Sequence, residues 1–288
     1  MMNPSSSSSP RTQDFDREFR AQLAQLTAGL APTAAVFPAV PQGQNNGRGS
    51  NTKGSDNIIT DGSLIVVPEG YAPATPYPVV FGLHGNGGSA ASVRAQLDLE
   101  RHAQGRAIFV YPEGIGGGWD LDGETSKNRD VALFDAILFQ LHGSLCVDER
   151  RIFVTGFSNG AYMANQLACR RGDRIRAVAT HSGGGPYENA GKYDEQGHLL
   201  CPGKAVASLV VHGLADNSVL PSEGQNSIAH WAFANRCSTG SARPTAPSPC
   251  VALSACYQPV VTCKVPGLGH AMWSEGKKAT WSFFDSLK

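Results

Sequence analysis

The 288-residue chain has no excess charge of either sign: Lys plus Arg and Asp plus Glu stand at 24 each. That balance removes both the basic footprint of a nucleic-acid binder and the self-repulsion of an acidic disordered segment, so the default partner is a neutral or weakly charged small molecule or polymer. No apolar run approaches the roughly 18 residues of a membrane-spanning helix, and no membrane association is predicted. No internal repeat is present, which excludes a solenoid. None of the seven cysteines stands in a Cys-x-x-Cys pair, which removes the usual zinc and thioredoxin-type readings. The first residues, MMNPSSSSSPRTQDFDREFR, carry acidic groups and no apolar core, so they are not a secretory signal.

What is present is a chain 41% hydrophobic, enough for a large core in one catalytic domain. Residues 1–58 differ from the rest. A serine run leads into DFDREFRAQLAQLTAGL, where Phe15, Phe19, Leu23 and Leu26 recur at helical spacing, and then into the Gly/Asn/Ser-rich linker PQGQNNGRGSNTKGSDN. Over residues 59–288 short apolar runs (SLIVVP, YPVVFGLHG, AIFVYPEG, RIFVTG, RAVATHSGG, SLVVHGLAD, PVVTCKVPGLGH) alternate with helical patterns such as VALFDAILFQLH. Continuous apolar strands separated by helices predict an α/β fold with a mostly parallel sheet covered on both faces, and place the chemistry at the carboxyl ends of the strands. Four cysteines crowd into 237–263 among Ser, Thr, Pro and Gly, which reads as a loop stapled by disulfides, with one of the seven thiols left over or paired between chains. Disulfides imply an oxidising compartment. The expectation is therefore an exported protein whose signal lies outside this chain, a cytoplasmic protein with scattered thiols being the alternative.

Within RIFVTGFSNGAYMANQLACRR a β-branched, aromatic run meets a helix-forming one with only G-F-S-N-G between them. Such a turn holds its central side chain clear of the sheet, so Ser158 is the candidate nucleophile. Reading the other strand ends gives Asp216 after SLVVHGL and His270 after PVVTCKVPGLG. The order Ser, Asp, His is that of the α/β-hydrolase triad. A serine hydroxyl is a weak nucleophile until an imidazole takes its proton, and the imidazole needs an acid on its other nitrogen to fix its tautomer. The negative oxygen that forms on the substrate needs fixed N–H donors, assigned to the main chain of Asn86, in the loop His84-Gly85-Asn86-Gly87-Gly88, and of Asn159.

Each assignment has a competitor. His84, His212 and His230 also lie near strand ends, and Glu223 competes with Asp216 for the acid role. GIGGGWD is followed by polar residues where a phosphate-binding helix would have to begin, which is against a dinucleotide site. DLDGE has its glycine wrongly placed for a calcium loop. Asp130 reads as the N-cap of the helix that follows it. No metal and no cofactor is predicted.

The ordered motifs GLHGNGG, YPEGIGGGWD, RDVALFDAILFQL, CVDERRIFVTGFSNGAYMANQLAC, VVHGLAD and VPGLGHAMW, spread over residues 60–288, resemble the α/β-hydrolase group that joins feruloyl esterases with polyhydroxybutyrate-depolymerase-like esterases. The resemblance implies a cofactor-free serine esterase with Ser158, Asp216 and His270 as its triad, and structural disulfides. The sequence departs from the group's pattern at Asn86, Glu113, Ala161 and the residue after Trp273, none of which removes a catalytic group. Trp119 and Trp273, each beside a catalytic motif, are candidates for lining an aromatic acyl pocket. The few residues after His270 leave no room for a separate polymer-binding domain. The substrate expected is therefore a hydroxycinnamoyl ester of plant-wall polysaccharide. A short polyester or acetylated xylan is the alternative, and a catalytically silent binding module is the reading from another class.

Overall fold

The central strands are those whose sequences are apolar without interruption. In β6 (Ala177–His181) and β7 (Ala207–Gly213) every residue is buried, as strands covered on both faces require. In the computed structural model, which describes residues 57–60, 62–189 and 191–287 (with backbone alone at 57–60 and 239), they belong to one ten-stranded sheet. The other strands are β1 (Asn57–Thr60), β2 (Ser63–Val66), β3 (Tyr77–Leu83), β4 (Ile108–Tyr111), β5 (Val147–Phe157), β8 (Ser238–Pro244), β9 (Cys250–Ser254) and β10 (Val260–Val265). Their order is β1-β2-β4-β3-β5-β6-β7-β10-β9-β8. From β4 to β10 every pairing is parallel, and antiparallel strands close both edges. The compact unit that holds the sheet runs from Gly54 to Lys288. The helix expected around Phe15 to Leu26, and most of the linker after it, lie outside the described residues.

Among the described residues six α-helices cover the sheet: α1 (Ala90–Leu97), α2 (Leu99–Ala103), α3 (Arg129–Ser144), α4 (Asn159–Arg170), α5 (Pro221–Ala234) and α6 (Gly276–Asp285). One core gathers Phe134 and Ile137 of α3, Met163 and Leu167 of α4, and Ile228 and Trp231 of α5 against one set of strand residues. The other gathers Val93 and Leu97 of α1, Leu99 of α2, and Trp281 and Phe284 of α6 against the alternate set. Alternation along the strands sends successive side chains to opposite faces: Val79, Phe81 and Leu83 enter the first core while Val80 enters the second.

Two local expectations are corrected. The N-cap of α3 is Asn128, whose side chain accepts from the main-chain N–H groups of Asp130 and Val131 at 3.0 Å each. Asp130 stands inside the first turn, buried, and its carboxylate accepts the main-chain N–H of Asp120 at 2.6 Å. Burial pushes the Asp130 carboxyl above its ordinary range. The segment 237–263 is not a loop: it holds the strands β8 and β9, which the Ser, Pro and Gly content concealed, and most of β10, the strand expected from PVVTCKVPGLGH. It does carry disulfides, Cys237–Cys256 and Cys250–Cys263, the latter joining residues directly opposite each other on β9 and β10. A third, Cys169–Cys201, ties the end of α4 to the segment before β7, and Cys146 is the free thiol.

Candidate active site

The turn from β5 into α4 is tight because its glycines leave no room for anything else. A Cβ at Gly156 would lie 2.2 Å from the carbonyl oxygen of Gly160, and one at Gly160 2.2 Å from that of Leu83 on β3. Between them Ser158 takes φ 55° and ψ −122°, a conformation unfavourable to any residue with a side chain. It is held there by main-chain bonds: its N–H donates to His181 of β6 at 2.9 Å, and its carbonyl accepts from Ala161 and Tyr162 of α4. Ser158 Oγ thus stands at the N-terminus of α4 and at the carboxyl end of the sheet.

The structure brings Asp216 and His270 to it. His270 Nε2 lies 3.0 Å from Ser158 Oγ, and His270 Nδ1 lies 2.8 Å from Asp216 Oδ2. Asp216 has no exposed side-chain surface, and its other oxygen accepts the main-chain N–H groups of Ser218 and Val219 at 2.9 Å each. Burial alone would raise this carboxyl; the bonds from His270, Val219 and Ser218 together outweigh it and hold the group below its ordinary value, charged. A carboxylate there keeps the Nδ1 proton on His270 and leaves Nε2 free to accept from the serine. The imidazole is 23% exposed and packs against Phe157, so the side that meets the serine is reachable.

The competing residues are otherwise engaged. Glu223, on the first turn of α5, accepts from the Tyr162 hydroxyl at 3.3 Å; burial, followed by the nearby carboxylate, pushes that phenol far up, so it remains a donor. His212 is bonded through Nε2 to the carbonyl of Val219. His230 has Nε2 3.3 Å from Cys201 Sγ. Among the described residues, Cys169, Cys201 and His230 form the only cluster with metal-ligand atoms close together, and two of the three are already joined in a disulfide.

Asn86 is exposed in the turn after β3, and Asn159 is the first residue of α4, where the helix geometry leaves its N–H without an internal partner. The turn of Asn86 is braced by the segment 114–119. Gly114 N–H donates to His84 Nε2 at 2.9 Å, Gly87 N–H to the carbonyl of Gly117 at 2.7 Å, and Trp119 Nε1–H to the carbonyl of His84 at 2.7 Å. His84, satisfied on Nδ1 by the Gly85 carbonyl, is therefore a structural pin of the loop. GIGGGWD serves as this brace, a role that only its contacts disclose.

The two tryptophans do not present open ring faces. Trp119 is 8% exposed and Trp273 9%, and they belong to the cores on opposite sides of the sheet. A cavity of about 580 Å³ runs along α4, with Tyr162, Gln166, Tyr187, Tyr193 and Glu223 in its wall and none of the triad residues among its lining. A larger cavity, about 1170 Å³, lies between α5 and the β8–β10 edge and touches none of the triad residues.

Comparison with known proteins places the chain among esterases. No protein-family model matches the chain. The feruloyl esterase C of Emericella nidulans is 36% identical over 222 residues, covering 73% of this chain and 77% of that protein. The probable feruloyl esterase C of Aspergillus terreus is 33% identical over 286 residues, covering 91% and 96%. An acetyl xylan esterase from Aspergillus awamori superposes with a TM-score of 0.62 at 16% identity, over 77% of this chain and 93% of its own. A ferulic acid esterase from Anaeromyces mucronatus does so with a TM-score of 0.52, also at 16%, over 85% and 93%. At such identity the two structures establish the fold alone, whereas the sequence relatives establish the family. The chain belongs to the feruloyl esterase C family of carboxylic ester hydrolases and has the α/β-hydrolase fold.

Proposed function

We propose that the chain is a serine esterase that cleaves hydroxycinnamoyl (feruloyl) esters of plant cell-wall polysaccharide through an acyl-enzyme. The observation that carries this is the unbroken line from Ser158 Oγ to His270 Nε2 at 3.0 Å and from His270 Nδ1 to Asp216 Oδ2 at 2.8 Å, in a chain 36% identical to a feruloyl esterase C. Ser158 Oγ attacks the ester carbonyl while its proton passes to His270 Nε2, and the oxyanion is received by the main-chain N–H groups of Asn86 and Asn159. His270 then returns the proton to the departing sugar hydroxyl. Water repeats the sequence on the acyl-enzyme and frees the acid. The polarised triad argues against a silent binding module.

The cavity of about 580 Å³ beside Tyr162 supports an acyl group larger than acetyl, since it has the volume of a small-molecule site and three tyrosines in its wall. Three disulfides fit folding in an oxidising compartment, and we place the enzyme outside the cell. The test is hydrolysis of methyl ferulate, methyl acetate and a hydroxybutyrate oligomer side by side. Methyl ferulate is expected to lead methyl acetate in kcat/KM by about ten- to a hundredfold, the yield of roughly 1.4–2.8 kcal/mol of extra acyl burial. Equal rates on acetate, or a faster hydroxybutyrate oligomer, would replace the feruloyl reading with the acetyl or polyester one.

A further inference from the structure

The two candidate oxyanion donors, Asn86 and Asn159, belong to segments far apart in sequence, and nothing in either segment alone sets the gap between them. A developing oxyanion is stabilised only if both N–H groups lie about 2.7–3.1 Å from it. Trp119 is bonded to both sides at once. Its indole Nε1–H donates to the carbonyl of His84, two residues before Asn86, at 2.7 Å, and its own main-chain N–H donates to Asn159 Oδ1 at 2.9 Å. The indole also lies against the His84 ring, with centroids 4.7 Å apart.

The foot of this strut is fixed as well. The next residue, Asp120, gives its N–H to Asp130 Oδ2 at 2.6 Å, and its carbonyl accepts from Asn128 Nδ2 at 2.7 Å, so the segment is tied to the first turn of α3. Gly118, just before the strut, is closely flanked by both: a Cβ there would lie 3.1 Å from Asn86 Oδ1, a tight contact, and 3.6 Å from Asn159 Oδ1. Both asparagines therefore converge on the backbone beside Trp119.

We propose that Trp119 is a positioning residue that sets the spacing of the two oxyanion donors, rather than a wall of the acyl pocket. The proposal rests on the serine-esterase reading, in which Ser158 is the nucleophile and Asn86 and Asn159 supply those donors. A strut of this kind acts on the transition state of every ester alike, whereas a pocket wall acts on one acyl group. Loss of the indole N–H releases the His84 end, and a misplacement of about 1 Å at a catalytic group is enough for a hundredfold loss of rate.

The test compares Trp119→Phe, and the protein carrying at position 119 a tryptophan isostere with sulfur in place of the indole N–H, against wild type. The readouts are kcat and KM on methyl ferulate and methyl acetate, the affinity for phenylboronic acid, which adds reversibly to a serine hydroxyl as a tetrahedral anion, and Tm. Both variants are expected to lose about ten- to a hundredfold in kcat on the two esters equally, with KM within about threefold. Phenylboronic acid affinity should fall by the same factor, and Tm should hold for the sulfur isostere, which keeps the packing. Asn159→Ala, which removes the other anchor of the strut but not the Asn159 main-chain N–H, should give a similar loss that is less than multiplicative with Trp119→Phe. A loss confined to methyl ferulate, or one that appears in KM alone, would overturn the proposal and return Trp119 to the acyl pocket. Unchanged phenylboronic acid affinity would overturn it in favour of packing alone. Failure of the underlying reading shows separately, as activity retained in Ser158→Ala or phenylboronic acid that does not protect Ser158 in the wild type.

Discussion

Ser158, His270 and Asp216 are arranged in one hydrogen-bonded line, and groups arranged so act as a unit. Ser158→Ala and His270→Ala are each expected to lower kcat by about 10⁴–10⁶-fold, with the double variant hardly worse than either, measured by steady-state assay on one ester. Asp216→Asn should be severely impaired while folding normally, and Glu223→Gln should not; the reverse result would move the acid role to Glu223. Asn86 supplies a main-chain N–H on this reading, so Asn86→Ala should keep kcat within about tenfold, the donor itself being worth roughly 3–4 kcal/mol. A loss of about 10³-fold in a folded Asn86→Ala protein would show that its side chain acts directly. These residues were legible because each follows a recognisable strand. What is bonded to them was not: that His84 pins the glycine loop and that Trp119 spans two segments are facts of contact between residues distant in the chain.

At the scale of elements, every apolar run singled out in the sequence is a strand or helix of the sheet and its cover, because central parallel strands are apolar on both faces. The strands β8 and β9 escaped notice. Their residues are largely polar or half-exposed and lie at the sheet edge, where pairing depends on the neighbour rather than on the strand's own sequence. The Cys250–Cys263 bridge fastens β9 to β10 across 13 residues, and loss of a loop of that size costs about 3 kcal/mol. Cys250→Ser with Cys263→Ser should therefore lower Tm by roughly 6–12 °C, read by calorimetry on the oxidised protein. No change in Tm would show the bridge to be dispensable.

For the molecule as a whole, stability should fall in mild acid through histidines buried uncharged. Burial lowers His181 to about 4, its Nε2 engaged with Thr280 Oγ1, and burial, aided by His198, lowers His230 to about 4. In the unfolded chain these groups bind a proton near pH 6.5, while the folded protein refuses it until about pH 4. The unfolded state then binds more protons in that window, so stability is full above about 6.5, declines as the pH falls towards 4, and levels off below. For His181, which is fully enclosed, the loss is on the order of 3 kcal/mol. Asp216, also lowered, changes stability in the same direction, but it contributes above its unfolded value near 3.8 and loses that contribution only below it, outside the window. Tm measured from pH 7 to pH 4 should show the decline, and a flat profile would mean that these histidines are reached by solvent.

The sequence by itself determined the α/β class, the strand-turn-helix at Ser158 and the order Ser158, Asp216, His270, because periodicity and the need for glycine beside a tight turn are local properties. It also left the acid, the disulfide partners, the cap of α3 and the place of the tryptophans as alternatives or misreadings. Those were decided only by tertiary structure. Asp216 rather than Glu223 reaches His270, Cys250 faces Cys263 across two strands, and Trp119 meets both His84 and Asn159. Each is a distance between side chains or strands that the chain brings together only on folding, and no pattern along the sequence carries it.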